Sequence, residues 1–171
     1  MPVRRNAAFV VLLTLIAGCG SGASSHPRAL PKLGPSAVAV APAKEATAAG
    51  AVAFARLFYA SITEAFATAD PTLVSSLSEP TCRTCALYIA TLTKLRDRHE
   101  RTTPVTFTLH FAVAPATDGK TARVEVQYDV PASTRYDAAG RVIYREQASV
   151  RVNETVTLVR HGTSWLVVEM R

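Results

Sequence analysis

Apolar positions along this chain follow two regimes, a helical one and an extended one, with the period changing near residue 104. From Ala48 onward Ala51, Phe54, Ala55, Phe58, Ile62, Ala65 and Phe66 recur at intervals of three and four, which predicts a helix with one apolar stripe ending near Thr68. Asp70-Pro71 stops it, because the residue before a proline is pushed out of the helical region. The same pair suits the start of a short helix through Leu77, with Asp70 as N-cap and Pro71 at the first helical position. A second long helix follows Cys82 and runs to about Arg101, its stripe made of Cys85, Tyr88, Ile89, Leu92, Leu95 and His99.

Beyond residue 104 the period is two. Val105, Phe107, Leu109, Phe111 and Val113 point one way and Thr106, Thr108 and His110 the other. Asp118-Gly119 marks a turn, after which Ala122, Val124, Val126, Tyr128 and Val130 alternate with Arg123, Glu125, Gln127 and Asp129. These two runs predict an antiparallel hairpin with one wet face, ended by Pro131. Ala138-Ala139-Gly140 opens another turn, and residues 141–160 alternate again through Val142, Tyr144, Ala148, Val150, Val152, Val156 and Leu158. That length exceeds a usual strand, so a bend or bulge is expected near Glu146 or Asn153. His161-Gly162 turns the chain into a last strand, Ser164 to Met170, which carries the only tryptophan, Trp165. Helices first and strands afterwards define an α+β class: N-terminal helices packed on a curved antiparallel sheet of four or more strands.

Ahead of this domain stand Arg4 and Arg5 and then an apolar run, Ala7 to Ala17, too short to span a bilayer. A charged segment, a short apolar segment and small residues at a cleavage point make the pattern of a secretory signal peptide. Its end, Ile16-Ala17-Gly18-Cys19, resembles the bacterial lipobox, in which the thiol is alkylated with diacylglycerol and the chain is cut just before it. The resemblance implies lipidation at Cys19 and a place on the extracytoplasmic face of the cell membrane. From Gly20 to about Lys44 the chain is Gly, Ser, Ala and Pro, a composition that buries too little apolar surface to offset chain entropy. The expected organisation is a signal peptide at 1–18, a lipidated cysteine and disordered linker at 19–47, and one α+β domain at 48–171.

Charge and candidate chemistry narrow the function classes. The formal net charge is +6, of which Arg4 and Arg5 account for two, leaving +4 beyond the signal segment. No basic cluster with interleaved aromatics occurs, which argues against nucleic acid as a partner. With Cys19 carrying lipid, Cys82 and Cys85 remain as a pair, and an even number outside the cytoplasm points to a disulfide. A Cys-x-x-Cys at a helix start with Arg83 beside it could also be redox-active. The βαβ context of redox motifs is missing, so a structural bridge is the expected role. Zinc would need two further ligands at suitable spacing, and no metal or cofactor is expected. His26, His99, His110 and His161 form no ligand spacing. The inward parity of the hairpin carries no carboxylate, Asp129 and Glu125 lie on its polar side, and Glu146 is read as the one carboxylate on the apolar parity of the long strand. Asn153-Glu154-Thr155 matches a glycosylation sequon by chance.

The order of helices, long strands, a glycine turn and a tryptophan strand resembles the nuclear transport factor 2-like cone fold. More narrowly, Phe54, Phe58 and Tyr59, then Ala67-Thr68-Ala69-Asp70, Leu77-Ser78 and Cys82-x-x-Cys85 resemble a family of small uncharacterised lipoproteins of high-GC Gram-positive bacteria. The resemblance implies a fold and an address without an activity. Cone folds often hold a pocket between helices and sheet, here expected near Phe54, Phe58, Phe107 and Tyr128. The expected function is a non-catalytic binding or interaction module of the cell envelope, taking an envelope protein or an apolar ligand, with a homodimer through the sheet. The alternatives are a small-molecule or lipid carrier and, after that, a thiol-redox or isomerase-type enzyme. Replacing Cys19 by Ser should move the chain from the membrane fraction to the soluble one; a Cys19→Ser chain that still sediments with membranes sinks the anchor.

Overall fold

The computed structural model describes residues 42–171; Cys19 and the expected signal segment lie outside them. A 3₁₀ turn at Pro42–Lys44 leads into α1, Ala48–Thr68. Thr47 caps α1, its hydroxyl oxygen accepting from the Gly50 amide at 3.0 Å. Gly50 is required by contact: a Cβ there would stand 2.2 Å from the Glu45 carbonyl oxygen, so only glycine lets the incoming chain cross the first turn. The domain therefore begins packing ahead of Ala48. Ala43 is only 2% exposed, and the Trp165 indole N–H donates to the Glu45 carbonyl at 2.8 Å.

Asp70 accepts from the Thr72 amide at 2.9 Å where a helix opens, but Pro71 takes the cap position expected of Asp70 and this helix, α2, is one turn long, Thr72–Ser75. The third helix, α3, covers Arg83–Asp97 and stops short of Arg101. His99 adopts φ +52, the His99 amide donates to Arg96 and the Glu100 amide to Leu95, which is a Schellman close. That close is usually announced by glycine, and here histidine fills it.

Seven strands follow: β1 Arg101–Thr102, β2 Thr108–Val113, β3 Thr121–Val130, β4 Ser133–Tyr136, β5 Val142–Glu146, β6 Ser149–His161 and β7 Ser164–Met170. They form two antiparallel sheets, one of four strands in the order β2-β3-β6-β7 and one of three in the order β1-β4-β5. The α+β class stands. The long segment at 141–160 is divided at Gln147-Ala148, beside Glu146, and its two halves serve different sheets.

Three register shifts interrupt the larger sheet, one between β6 and β7 at Thr157 and Leu158 and two on either side of β3. His110 is the extra residue between the Leu109–Tyr128 and Phe111–Gln127 pairs, so the inward parity of β2 passes from Leu109 to Ala112. Phe111 and Val113, expected inside, are exposed for that reason. On the other side of β3 the register shifts between the Tyr128–Val152 and Val130–Ser149 pairs, and Arg151 takes φ +53. Helices α1 and α3 cover the inner face. The core holds Phe54, Phe58, Ile62, Leu92, Leu95, Val124, Val156, Leu158 and Trp165. Phe58 is fully buried. Phe58→Ala should cost about 3–5 kcal/mol in a urea titration, whereas a loss under about 1 kcal/mol would mean the site collapses around the gap.

Candidate functional site

The smaller sheet stands away from the helices, and a cleft of about 400 Å³ opens between them. Its apolar wall comes from α1, α3, β3, β6 and the chain before β2: Phe66, Tyr88, Phe107, Tyr128, Val130 and Val152. Its polar wall comes from β4 and β5, with Ser133, Arg135, Tyr144 and Glu146. The rings form a continuous series. Phe66 meets Tyr88 edge-on with centroids 6.1 Å apart, Tyr88 meets Phe107 at 6.3 Å, and Phe107 meets Tyr128 at 5.3 Å. On the polar wall the Tyr144 hydroxyl donates to Glu146 at 2.7 Å, and the Arg135 guanidinium lies over the Tyr144 ring at 5.3 Å. Arg135 Nε is 3.6 Å from Glu100, whose side chain is 8% exposed.

Directly beneath the apolar wall lies a carboxylate that the sequence reading overlooked. Glu154 pairs across the sheet with Val126, one step deeper than the Tyr128–Val152 pair that lines the cleft. The fully buried Tyr59 donates its hydroxyl to Glu154, and the Tyr128 ring packs on Tyr59 with centroids 5.2 Å apart. Burial raises the Glu154 carboxyl above the usual carboxylate range, and the two phenols pull in the opposite direction without overcoming it. The phenols respond in turn. Tyr88 is pushed up to about 12 by burial and then by the Glu154 charge, and Tyr59 and Tyr128 are raised for the same reasons in the same order.

This corrects the reading that the inward face holds no carboxylate apart from Glu146. Val150, Val152, Glu154, Val156 and Leu158 share one parity, so the signal was present in the alternation itself. Of the four residues expected around a pocket, Phe107 and Tyr128 line the cleft, while Phe54 and Phe58 belong to the core and are not among its lining residues. Cys82 and Cys85 form a disulfide, both are buried, and Cys82 Sγ accepts from the Cys85 amide at the start of α3. Among the described residues no group of three or more His, Cys, Asp or Glu is placed to hold a metal, and no helix is long and apolar enough to cross a membrane.

The fold places the protein among α+β domains in which helices cover one face of an antiparallel sheet. The intermembrane space region of chloroplast protein ARC6 shares this fold, with a TM-score of 0.52 at 11% identity over 72% of this chain and 94% of that one. A variant of the designed chain Rd1NTF2_05 aligns with a TM-score of 0.40 at 12% identity over 68% of this chain and 94% of that one. No curated protein matches the sequence. The chain belongs to the Family of unknown function (DUF6318), whose model matches residues 35–171.

Because burial raises Glu154, the folded protein holds that proton more tightly than the unfolded chain does. The stability it contributes is present below the ordinary carboxylate range and is lost as pH rises through the raised value. Glu154→Gln keeps the size and an acceptor for Tyr59, so the Tm difference between variant and wild type should be small near about pH 4 and should grow in the variant's favour toward about pH 8. A difference that stays flat, or runs the other way, contradicts the burial of this group.

Proposed function

We propose that this chain is a lipid-anchored protein of the extracytoplasmic face of the cell membrane whose folded domain binds a small apolar or amphiphilic molecule. The address is supported by Arg4 and Arg5, the short apolar run and Ile16-Ala17-Gly18-Cys19, with the Pro- and Ala-rich stretch after Cys19 acting as a spacer. The single observation that carries the binding reading is the cleft. Its 400 Å³ falls within the range of about 300–1,000 Å³ typical of small-molecule sites, and it combines aromatic surface with a few convergent polar groups. The buried disulfide supports a clamp at the start of α3, because a sulfur shielded from solvent has no access to a partner thiol.

A second reading, an interaction module, is favoured by β5. This strand is an edge of the smaller sheet, and Val142, Ile143 and Tyr144 are 45%, 45% and 49% exposed on it. An unpaired edge with apolar side chains on both faces suits strand addition by a protein partner.

Native mass spectrometry of the protein, extracted gently from its own membrane, tests the first reading. A defined small molecule should travel with the wild type, and Thr91→Trp, which fills the cleft from α3, should reduce its retention at least about tenfold with the fold intact. A wild type that is always empty, with crosslinks from β5 to an envelope protein, favours the second reading over the first.

A further inference from the structure

We infer that the molecule held in this cleft is an organic cation, an apolar body bearing one ammonium group. The inference rests on the cleft being the binding site and adds the charge of its occupant.

Three independent features of the walls agree. The apolar wall presents a series of four rings, Phe66, Tyr88, Phe107 and Tyr128, and the faces of aromatic rings carry the negative lobe of their quadrupole. Tyr144, on the polar wall, donates its hydroxyl to Glu146 at 2.7 Å. On the opposite wall Tyr128 packs on Tyr59, the phenol that donates to Glu154. A phenol whose proton is drawn toward a carboxylate holds more electron density in its ring and attracts a cation more strongly. The arrangement is already used once within the chain, since the Arg135 guanidinium rests over the ring of Tyr144.

Charge decides between a cation and the other amphiphiles. Among the described residues Arg135 is the one basic side chain in the cleft wall, and Glu100, 3.6 Å from its Nε, is shared with Arg98 at 3.8 Å. Arg145, next along β5, lines a neighbouring groove together with Glu146 and does not line the cleft. Glu146 in the wall and Glu154 beneath it have no ion-pair partner among the described residues. An anionic ligand would meet the Glu146 carboxylate in the wall, while Glu154 beneath it is held by Tyr59. The chain as a whole carries +6, so the sign of this cleft runs against that of the chain and is not inherited from composition.

The test uses three compact probes of similar shape: benzyltrimethylammonium, its uncharged isostere neopentylbenzene, and phenylacetate. Binding to the full chain in phosphatidylcholine nanodiscs is followed by saturation-transfer NMR. The cation should bind at least about tenfold more tightly than the isostere, in keeping with a partly desolvated cation–π site, and phenylacetate should not bind. Glu146→Gln and Glu154→Gln should each weaken the cation several-fold and leave the isostere unchanged. Glu146 lies on an exposed strand, so its variant keeps the test open if Glu154→Gln fails to fold. Phenylacetate or the isostere binding as well as the cation overturns the charge assignment while leaving the cleft in place. If no probe binds and Thr91→Trp changes nothing, the cleft reading fails and this one with it.

Discussion

The carboxylate of Asp129 joins three strands at one level, and the shape of the site depends on it. Asp129 lies on the outer face of β3. Its Oδ2 is 2.8 Å from His110 Nε2 in the bulge of β2, and its Oδ1 accepts from the Arg151 amide at 2.6 Å in the bulge of β6. An extra residue on each neighbouring strand at the same height bends the sheet there and flips which side chains point inward. A bulge leaves a backbone group without its ladder partner, and an anion held between the two strands supplies one. The Arg151 amide first, and His110 after it, hold the Asp129 carboxyl below the usual carboxylate range. Beyond this bend Val130, Ser149 and Val152 part from the helices and become cleft wall in place of core.

Glu154 follows the opposite logic, since it occupies a position where the alternation calls for valine. Burying a carboxylate is costly unless it is hydrogen-bonded, and a phenol buried without an acceptor costs about 1–3 kcal/mol. Tyr59 and Glu154 each remove the other's penalty, but an apolar pair of the same volume would do so with less risk. Stability alone therefore gives no reason for the pair. Glu154 lies two residues along β6 from Val152, which lines the cleft, and after burial its charge raises the Tyr128 phenol there.

Periodicity made the helices and the inner face of β3 legible, since Phe54, Phe58, Ile62, Val124 and Val126 are buried as their spacing requires. It failed wherever an interaction between distant residues sets the outcome. The His110 bulge depends on Asp129, nineteen positions away, and no local signal marks it. The early end of α3 uses histidine where glycine is the usual sign. Strands β1 and β4 are too short to show a period, and β4 exists because the Asp137 turn brings it back against β5. Half of the site was readable as Phe107 and Tyr128. The other half, Arg135 and Tyr144, lies in the sheet that the alternation did not separate from β6. Glu154 was readable in principle and was masked by the apparent sequon around it.

The opposition between the charge of the chain and that of the cleft is resolved by distance. A net charge of +6 spread over the whole chain is screened by salt within about 8 Å at physiological ionic strength. A unit charge 4 Å from a carboxylate in a partly buried site interacts by about 4 kcal/mol at an effective dielectric near 20. On the cation reading, an approaching cation meets a weak, screened repulsion outside and a shorter-range attraction at the cleft, where Tyr128 is buried and Tyr144 is exposed. Long-range steering would thus lower its rate of arrival, while the carboxylate of Glu146 in the wall would lengthen its stay. A site built this way discriminates by retention.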